Sequence, residues 1–257
     1  MYTIAKNTFK EFIRNKILYT IIGAGVVLIL GSIVLSTLAV RQEERIIINS
    51  SLTVIEIFGL IVTLFMGSYL LYSELSKNTI LMILSKAPSR ANFILGKFLG
   101  FSGILFVVYL LLGIAFAVVL FLHSIAIDLT MVLALFFSFL KILFVLGFIV
   151  FFSTFVSPFV SLLASLSVYI IGHSTSFIKY YMIESGKVSI TAFGEWLVNI
   201  IYFVFPNFTA LSIKEILNTP LIENISNVQL FFSVFYTLIY VALLLILSII
   251  IFNNREF

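Results

Sequence analysis

The chain has 257 residues, of which 62% are hydrophobic and only 10% charged, with a mean hydropathy of +1.24 and a formal net charge of +4. A soluble domain of this size needs far more charge to cover its surface, so the bulk solvent of this protein is lipid. The absence of Cys excludes a disulfide framework and a thiolate metal site. One Asp (Asp128) and two His (His123, His173) offer neither a metal-binding cluster nor the catalytic constellation of an intramembrane hydrolase.

The first 16 residues carry Lys6, Lys10 and Arg14 at four-residue spacing, with Ala5, Phe9, Phe12 and Ile13 around the other face. This pattern predicts an amphipathic elbow helix over 1–16 that flanks the first span and attracts anionic lipid. The apolar run that follows, 17–40, is longer than the core of a signal peptide and predicts a retained membrane anchor. Five more runs are long enough to cross the hydrocarbon core: 52–72, 98–122, 131–156, 159–178 and 230–252. Only "SPF" at Ser157–Phe159 divides the fourth from the fifth. Pro158 disfavours a helical residue before it, which makes Ser157 the natural break, and one kinked helix of about double length is the alternative. The fold class is therefore all-α, a single polytopic domain of six transmembrane helices.

An even number of spans puts both termini on one side. That side holds Lys6, Lys10, Arg14, Lys16, Lys77, Lys86, Arg90, Lys97 and Arg255 against Glu11, Glu74 and Glu256. The other side holds Arg41, Arg45, Lys179, Lys187 and Lys214 against seven acids. The positive-inside rule then predicts cytoplasmic termini in a cell membrane, with 73–97 as a cytoplasmic insert and 179–229 as an outer segment. Within the outer segment Phe193, Trp196, Leu197, Ile200 and Val204 share one helical face, and Pro206 stops the run. This predicts a helix lying in or dipping into the outer interface. A second short helix is expected at about 209–217. The sequons at Asn207–Thr209 and Asn224–Ser226 also fall on this outer side and matter only where the source glycosylates.

Two ionisable residues interrupt the spans. Lys141 lies about halfway through the fourth, where a charge is costly and tends to be functional. Its candidate partner is Glu56, which this reading places close to the outer end of the second span, near enough for its charge to reach water. A Lys that snorkels or bonds backbone carbonyls is the plainer reading. Ser32 and Ser36, and Ser161 and Ser165, repeat at four-residue spacing, which suits close helix packing. His173 reads as an interfacial polar residue. "GK" at Gly96–Lys97 lacks the earlier Gly of a P-loop.

The insert "SELSKNTILMILSKAPSRANFILGKFLG" opens polar, turns apolar over Ile80–Leu84 and is ended by Pro88, with Ser89 as a predicted cap for the helix entering the third span. This stretch resembles the signature of type-two ABC exporter permeases, matching at Glu74, Thr79, Ile80, Leu84, Ser85, Pro88, Arg90, Gly96 and Lys97. "FKEFIRNKILY" is similar to the family's basic elbow and "FVFPNFTAL" to its segment before the last span. The closest flavour is that of the small permeases of nitrous-oxide reductase maturation. The resemblance implies a non-enzymatic half-transporter: two such permeases pair with each other and with two cytoplasmic ABC ATPase subunits, which alone bind ATP and Mg. It implies a coupling helix in the insert, with Glu74, Lys77, Thr79, Ile80, Leu84, Pro88, Arg90 and Lys97 as coupling residues, of which Glu74, Lys77 and Arg90 form a charged rim. It implies a permease dimer interface formed by the fifth and first spans, with Ser32, Ser36, Ser161 and Ser165 as packing candidates there, and no catalytic residue, resident cofactor, metal or nucleic-acid partner in this chain. Two rivals stand beside it: a membrane anchor that recruits a soluble complex through the same basic insert, and an ion-coupled carrier using Glu56 and Lys141. A carrier of that kind would usually show broken helices in matched halves, and none are evident here.

Overall fold

The computed structural model describes residues 1–37, 42–75, 89–184, 192–212 and 227–254. Every regular element among them is helical. A short helix α1 (Tyr2–Ile13) is followed by α2 (Lys16–Thr37), α3 (Glu43–Leu75), α4 (Arg90–Leu122), α5 (Leu129–Ser153) and α6 (Pro158–Lys179), the last continued by a π-helical turn at Tyr180–Glu184. Then come α7 (Ala192–Val204), a 3₁₀ turn at Thr209–Leu211 and α8 (Asn227–Asn253). Six of these helices, α2 to α6 and α8, are long and apolar enough to cross a membrane.

Local chemistry explains the boundaries. Ser89 caps α4, its hydroxyl accepting from the Asn92 amide at 3.3 Å, as the sequence predicts. Asp128 caps α5, accepting from the Leu129 amide at 2.7 Å and from the Thr130 hydroxyl. These bonds, the Thr130 hydroxyl first and the Leu129 amide second, hold the exposed Asp128 carboxyl below its ordinary value. Pro158 stands at the first position of α6, where its missing N–H is harmless, so the chain breaks at Ser157 into two helices. The second span differs from expectation: α3 starts at Glu43, not Leu52. Glu43 and Glu44 sit in its first turn, where the positive end of the helix dipole favours acids. Likewise α4 starts at Arg90, so Arg90, Gly96 and Lys97 belong to its first two turns.

The core lies between α3 and α5. About 72% and 67% of their apolar windows are buried, against 28% for each of α2, α6 and α8, which present broad apolar faces outward. In lipid such faces carry no penalty, and close packing rather than hydrophobic drive joins the helices. Glycines set the closest approaches. A Cβ on Gly100 would stand 2.5 Å from the Ala5 carbonyl oxygen and one on Gly96 would stand 2.9 Å from Ile4 Cβ, so α1 seats directly on the start of α4. Phe12 closes that contact edge-on against Phe101 at 5.1 Å. Lys6, Lys10 and Arg14 stay exposed on the other face of α1.

The four serines proposed for a dimer contact are buried within one chain, at 0–2% exposure. Ser32 lies 3.3 Å from Ser51 of α3, and Ser161 lies 3.0 Å from Ser153 across the α5–α6 turn. Ser36 donates to the Ile33 carbonyl, and the Ser165 hydroxyl has no hydrogen-bond partner among the described residues.

Candidate functional site

Glu56 sits well inside α3, not at the outer end of a span. With α3 beginning at Glu43 it is about 20 Å along the helix axis, and Lys141 is about 18 Å along α5. The two meet: Lys141 Nζ donates to Glu56 Oε1 at 2.7 Å, with side-chain exposures of 1% and 3%. Both side chains are buried inside the bundle and turned toward each other, where the sequence reading has Glu56 near a span end and Lys141 snorkelling.

Two hydroxyls complete the cluster. Tyr169 of α6 donates its phenol to the same Glu56 oxygen at 2.8 Å. Lys141 donates a second bond to Ser212 Oγ at 2.7 Å. Beside them Tyr109 of α4 pairs with Ser138 of α5, 3.2 Å from its hydroxyl. Gly59 makes room for that phenol, since a Cβ there would stand 2.6 Å from the Tyr109 ring. A cavity of about 10 Å³, the size of a single water, is lined by Leu52, Glu56, Ala134, Ser138, Lys141, Leu211 and Ser212.

Ser212 arrives from an unexpected direction. After α7 the chain turns at Pro206 into the bundle, where Phe208 and Leu211 are at most 1% exposed. Asn207 Oδ1 accepts from the Thr209 amide at 3.1 Å and from Ser176 Oγ at 2.9 Å, folding the chain back on itself. The Phe208 amide donates to the Gly172 carbonyl at 3.1 Å. A Cβ on Gly172 would stand 2.5 Å from the Pro206 carbonyl oxygen, so only Gly allows this seat. The Phe208 ring then packs edge-on against Phe144 at 5.2 Å and beside Tyr169 at 5.7 Å. The segment 205–212 is thus an inserted wedge whose deepest hydroxyl reaches the intramembrane lysine.

The sequence singles out Glu56 and Lys141 and misses Tyr169, Ser212 and the Tyr109–Ser138 pair. A Tyr within an apolar span reads as lipid contact, and Ser212 falls in the short outer helix expected at about 209–217. The one available signal was "PNF", an Asn after Pro that favours a tight turn. The expected helix at 209–217 is observed only as the 3₁₀ turn Thr209–Leu211, and positions from 213 onward lie outside the described residues. The apolar face of α7 points away from the bundle, with Phe193, Trp196, Leu197 and Ile200 all exposed. His173, only partly buried, stacks on Tyr169 at 6.1 Å.

Of the residues expected to couple to a partner, Lys77, Thr79, Ile80, Leu84 and Pro88 lie outside the described residues, as does the side chain of Glu74. Of the other two, Lys97 is buried and Arg90 is partly buried. Lys97 is 1% exposed, 4.0 Å from Glu11 of α1 and 5.9 Å over the Phe93 ring. Arg90, expected on the charged rim, donates to the carbonyls of Phe252 and Asn253 at the end of α8, at 2.8 and 3.0 Å. The second sequon, at Asn224, lies outside the described residues, while Asn207 of the first is engaged in its turn.

No family model matches this chain, and no curated protein matches it. Six apolar helices suited to a multi-pass membrane protein thus enclose, among the described residues, a buried, hydrogen-bonded ion pair with an inserted segment fastened to it.

Proposed function

We propose that the chain is the membrane permease subunit of an ATP-driven exporter of the type-two ABC kind. It would work as a dimer with a separate cytoplasmic ATPase and have both termini in the cytoplasm of a cell-membrane protein. The observation that carries this reading is the insert ending in "SRANFILGKFLG". Its sequence resembles the family signature, and three of its matched residues, Arg90, Gly96 and Lys97, engage the first and last helices of the chain. An insert fastened in this way suits a part that passes force from a soluble partner to the bundle. The basic excess on the terminal side supports the orientation.

The test is affinity purification of the chain from native membranes, followed by an ATPase assay. A co-purifying subunit with a Walker A motif, whose hydrolysis disappears when its Walker A lysine is replaced, is the expected result. Purification with a soluble complex that lacks nucleotide-binding chemistry would favour the anchor reading instead.

One observation favours a second reading, the ion-coupled carrier: the Glu56–Lys141 pair is buried at mid-depth and flanked by hydroxyls. Flux of protons or sodium down an imposed gradient, in vesicles containing this chain alone and abolished by Glu56→Gln, would select it over the exporter.

A further inference from the structure

The start of α4 touches two elements far away in sequence. On one side it seats α1, through Gly96 and Gly100 and the Lys97–Glu11 pair. On the other it holds the last turn of α8. Arg90 Nη1 donates to the Phe252 and Asn253 carbonyls, its guanidinium lies 5.9 Å from the Phe252 ring centroid, and Phe93 stacks on that ring at 5.9 Å with 14° between planes. Phe252 is fully buried and Phe93 is 1% exposed, so this is a packed joint rather than a passing surface contact.

The placement of Arg90 makes little sense for α4 alone. It occupies the first helical position, where the helix dipole is positive and disfavours a cation, and no acid in that turn offsets it. At the end of α8 the sign reverses. The last carbonyls of a helix lack intrahelical donors, and the negative end of the dipole favours a cation. One guanidinium nitrogen, Nη1, serves both carbonyls while the delocalised group lies against the Phe252 ring, a planar contact that the compact ammonium of a lysine does not reproduce. The charge is therefore unfavourable where it is attached and favourable where it reaches.

We propose that Arg90 is a positioning residue that clasps the end of α8 to the start of α4, so that α1, α4 and α8 share one joint at the chain's exit from the insert. Displacement of the chain at Ser89 is then delivered to the first and last helices together. The clasp stands on geometry; its role in transmitting force from an ATPase rests on the exporter reading. Arg90 in this role is not a docking residue for the partner.

The chain has no Cys, so a nitroxide pair at Ala91→Cys and Asn254→Cys reports this joint without background. The expected distance distribution in the purified chain is narrow for the parent, at least twofold broader for Arg90→Gln, and intermediate for Arg90→Lys, which keeps the charge but loses the planar contact with Phe252. Where Arg90→Gln is not recovered as a monodisperse protein, Arg90→Lys carries the same test. An unchanged width in the variant overturns the clasp. The second arm is recovery of the ATPase subunit that co-purifies with the parent. Arg90→Gln is expected to retain it at parental yield. Loss of that subunit with an unchanged label distance makes Arg90 a docking residue and overturns the proposal. If the parent captures no ATPase, the exporter reading fails, while the label distances still decide the clasp.

Discussion

Lys141 and Glu56 are separated by 85 residues in sequence and by 2.7 Å in space, and both are shielded from solvent by α3, α5, α6 and the inserted segment. A buried pair is weak support for stability compared with apolar residues of equal volume, but removing one partner strands the other charge at a cost of about 3–5 kcal/mol. Lys141→Met and Glu56→Gln are each expected to lower the thermal unfolding midpoint of the detergent-solubilised protein. The double variant is expected to recover most of the loss. Simple addition of the two single effects would show that the groups are not coupled in the folded protein.

Gly172 decides whether the wedge can seat. Gly172→Ala places a methyl against the Pro206 carbonyl and the Phe208 ring, an overpacking that costs on the order of 1–3 kcal/mol. Gly31→Ala is the control, because nothing stands within 4 Å of a Cβ there. A single Cys at Leu211 should react slowly with a water-soluble thiol reagent in the parent and in Gly31→Ala, and quickly in Gly172→Ala. Equal rates in all three would mean that the wedge does not depend on this seat.

The α1–α4 seat makes two opposite predictions. Gly100→Ala drives a Cβ into the Ala5 carbonyl and should loosen α1, seen as faster proteolysis at the N-terminal arm. Thr8, 1% exposed on the same seat, has a hydroxyl without a hydrogen-bond partner among the described residues. Thr8→Val keeps the shape and removes an unsatisfied group whose burial costs about 1–3 kcal/mol, so the unfolding midpoint should rise. A lower midpoint would point to a bond to water or lipid at that hydroxyl.

Asp128 supplies a pH dependence with a definite sign. Its folded-state pKa is depressed below the ordinary 3.8, so its cap contributes stability that is fully present above that value and is lost as pH falls below it. The advantage of the parent over Asp128→Asn should therefore be constant at neutral and mildly acidic pH and shrink below about 3.8. Thermal unfolding midpoints of the two proteins across that range check this. A gap that widens with acid would contradict it.

Orientation is tested on exposed positions. Ala126→Cys lies in the α4–α5 connection and Asn254→Cys lies just past α8. An impermeant thiol reagent should label the first in intact cells and the second only after permeabilisation. Labelling of both in intact cells would reject the even-span arrangement.

The six apolar helices and their turns were legible in the chain because length, hydropathy and local capping are properties of contiguous residues. Each run spans lipid on its own, Pro158 breaks a helix wherever it stands, and Ser89 can cap only the turn that follows it. Depth and partnership were not legible. Glu56 looked solvated because the apolar run begins at Leu52, whereas the helix, favoured by two acids at its positive end, begins at Glu43 and carries the carboxylate inward. The sequence records the charges of Arg90 and Lys97 but not the helix end and the carboxylate that they meet. Ser212 falls in an expected short outer helix, and it takes the Asn207 turn and the Gly172 seat to bring it into the bundle. The sequence by itself determined that this protein lives in lipid as a helical bundle, since the solvent acts on every residue separately. Which charges pair, which glycines touch backbone and which hydroxyl reaches the buried lysine were decided only by the tertiary structure, since those energies arise between residues that meet solely when the helices pack.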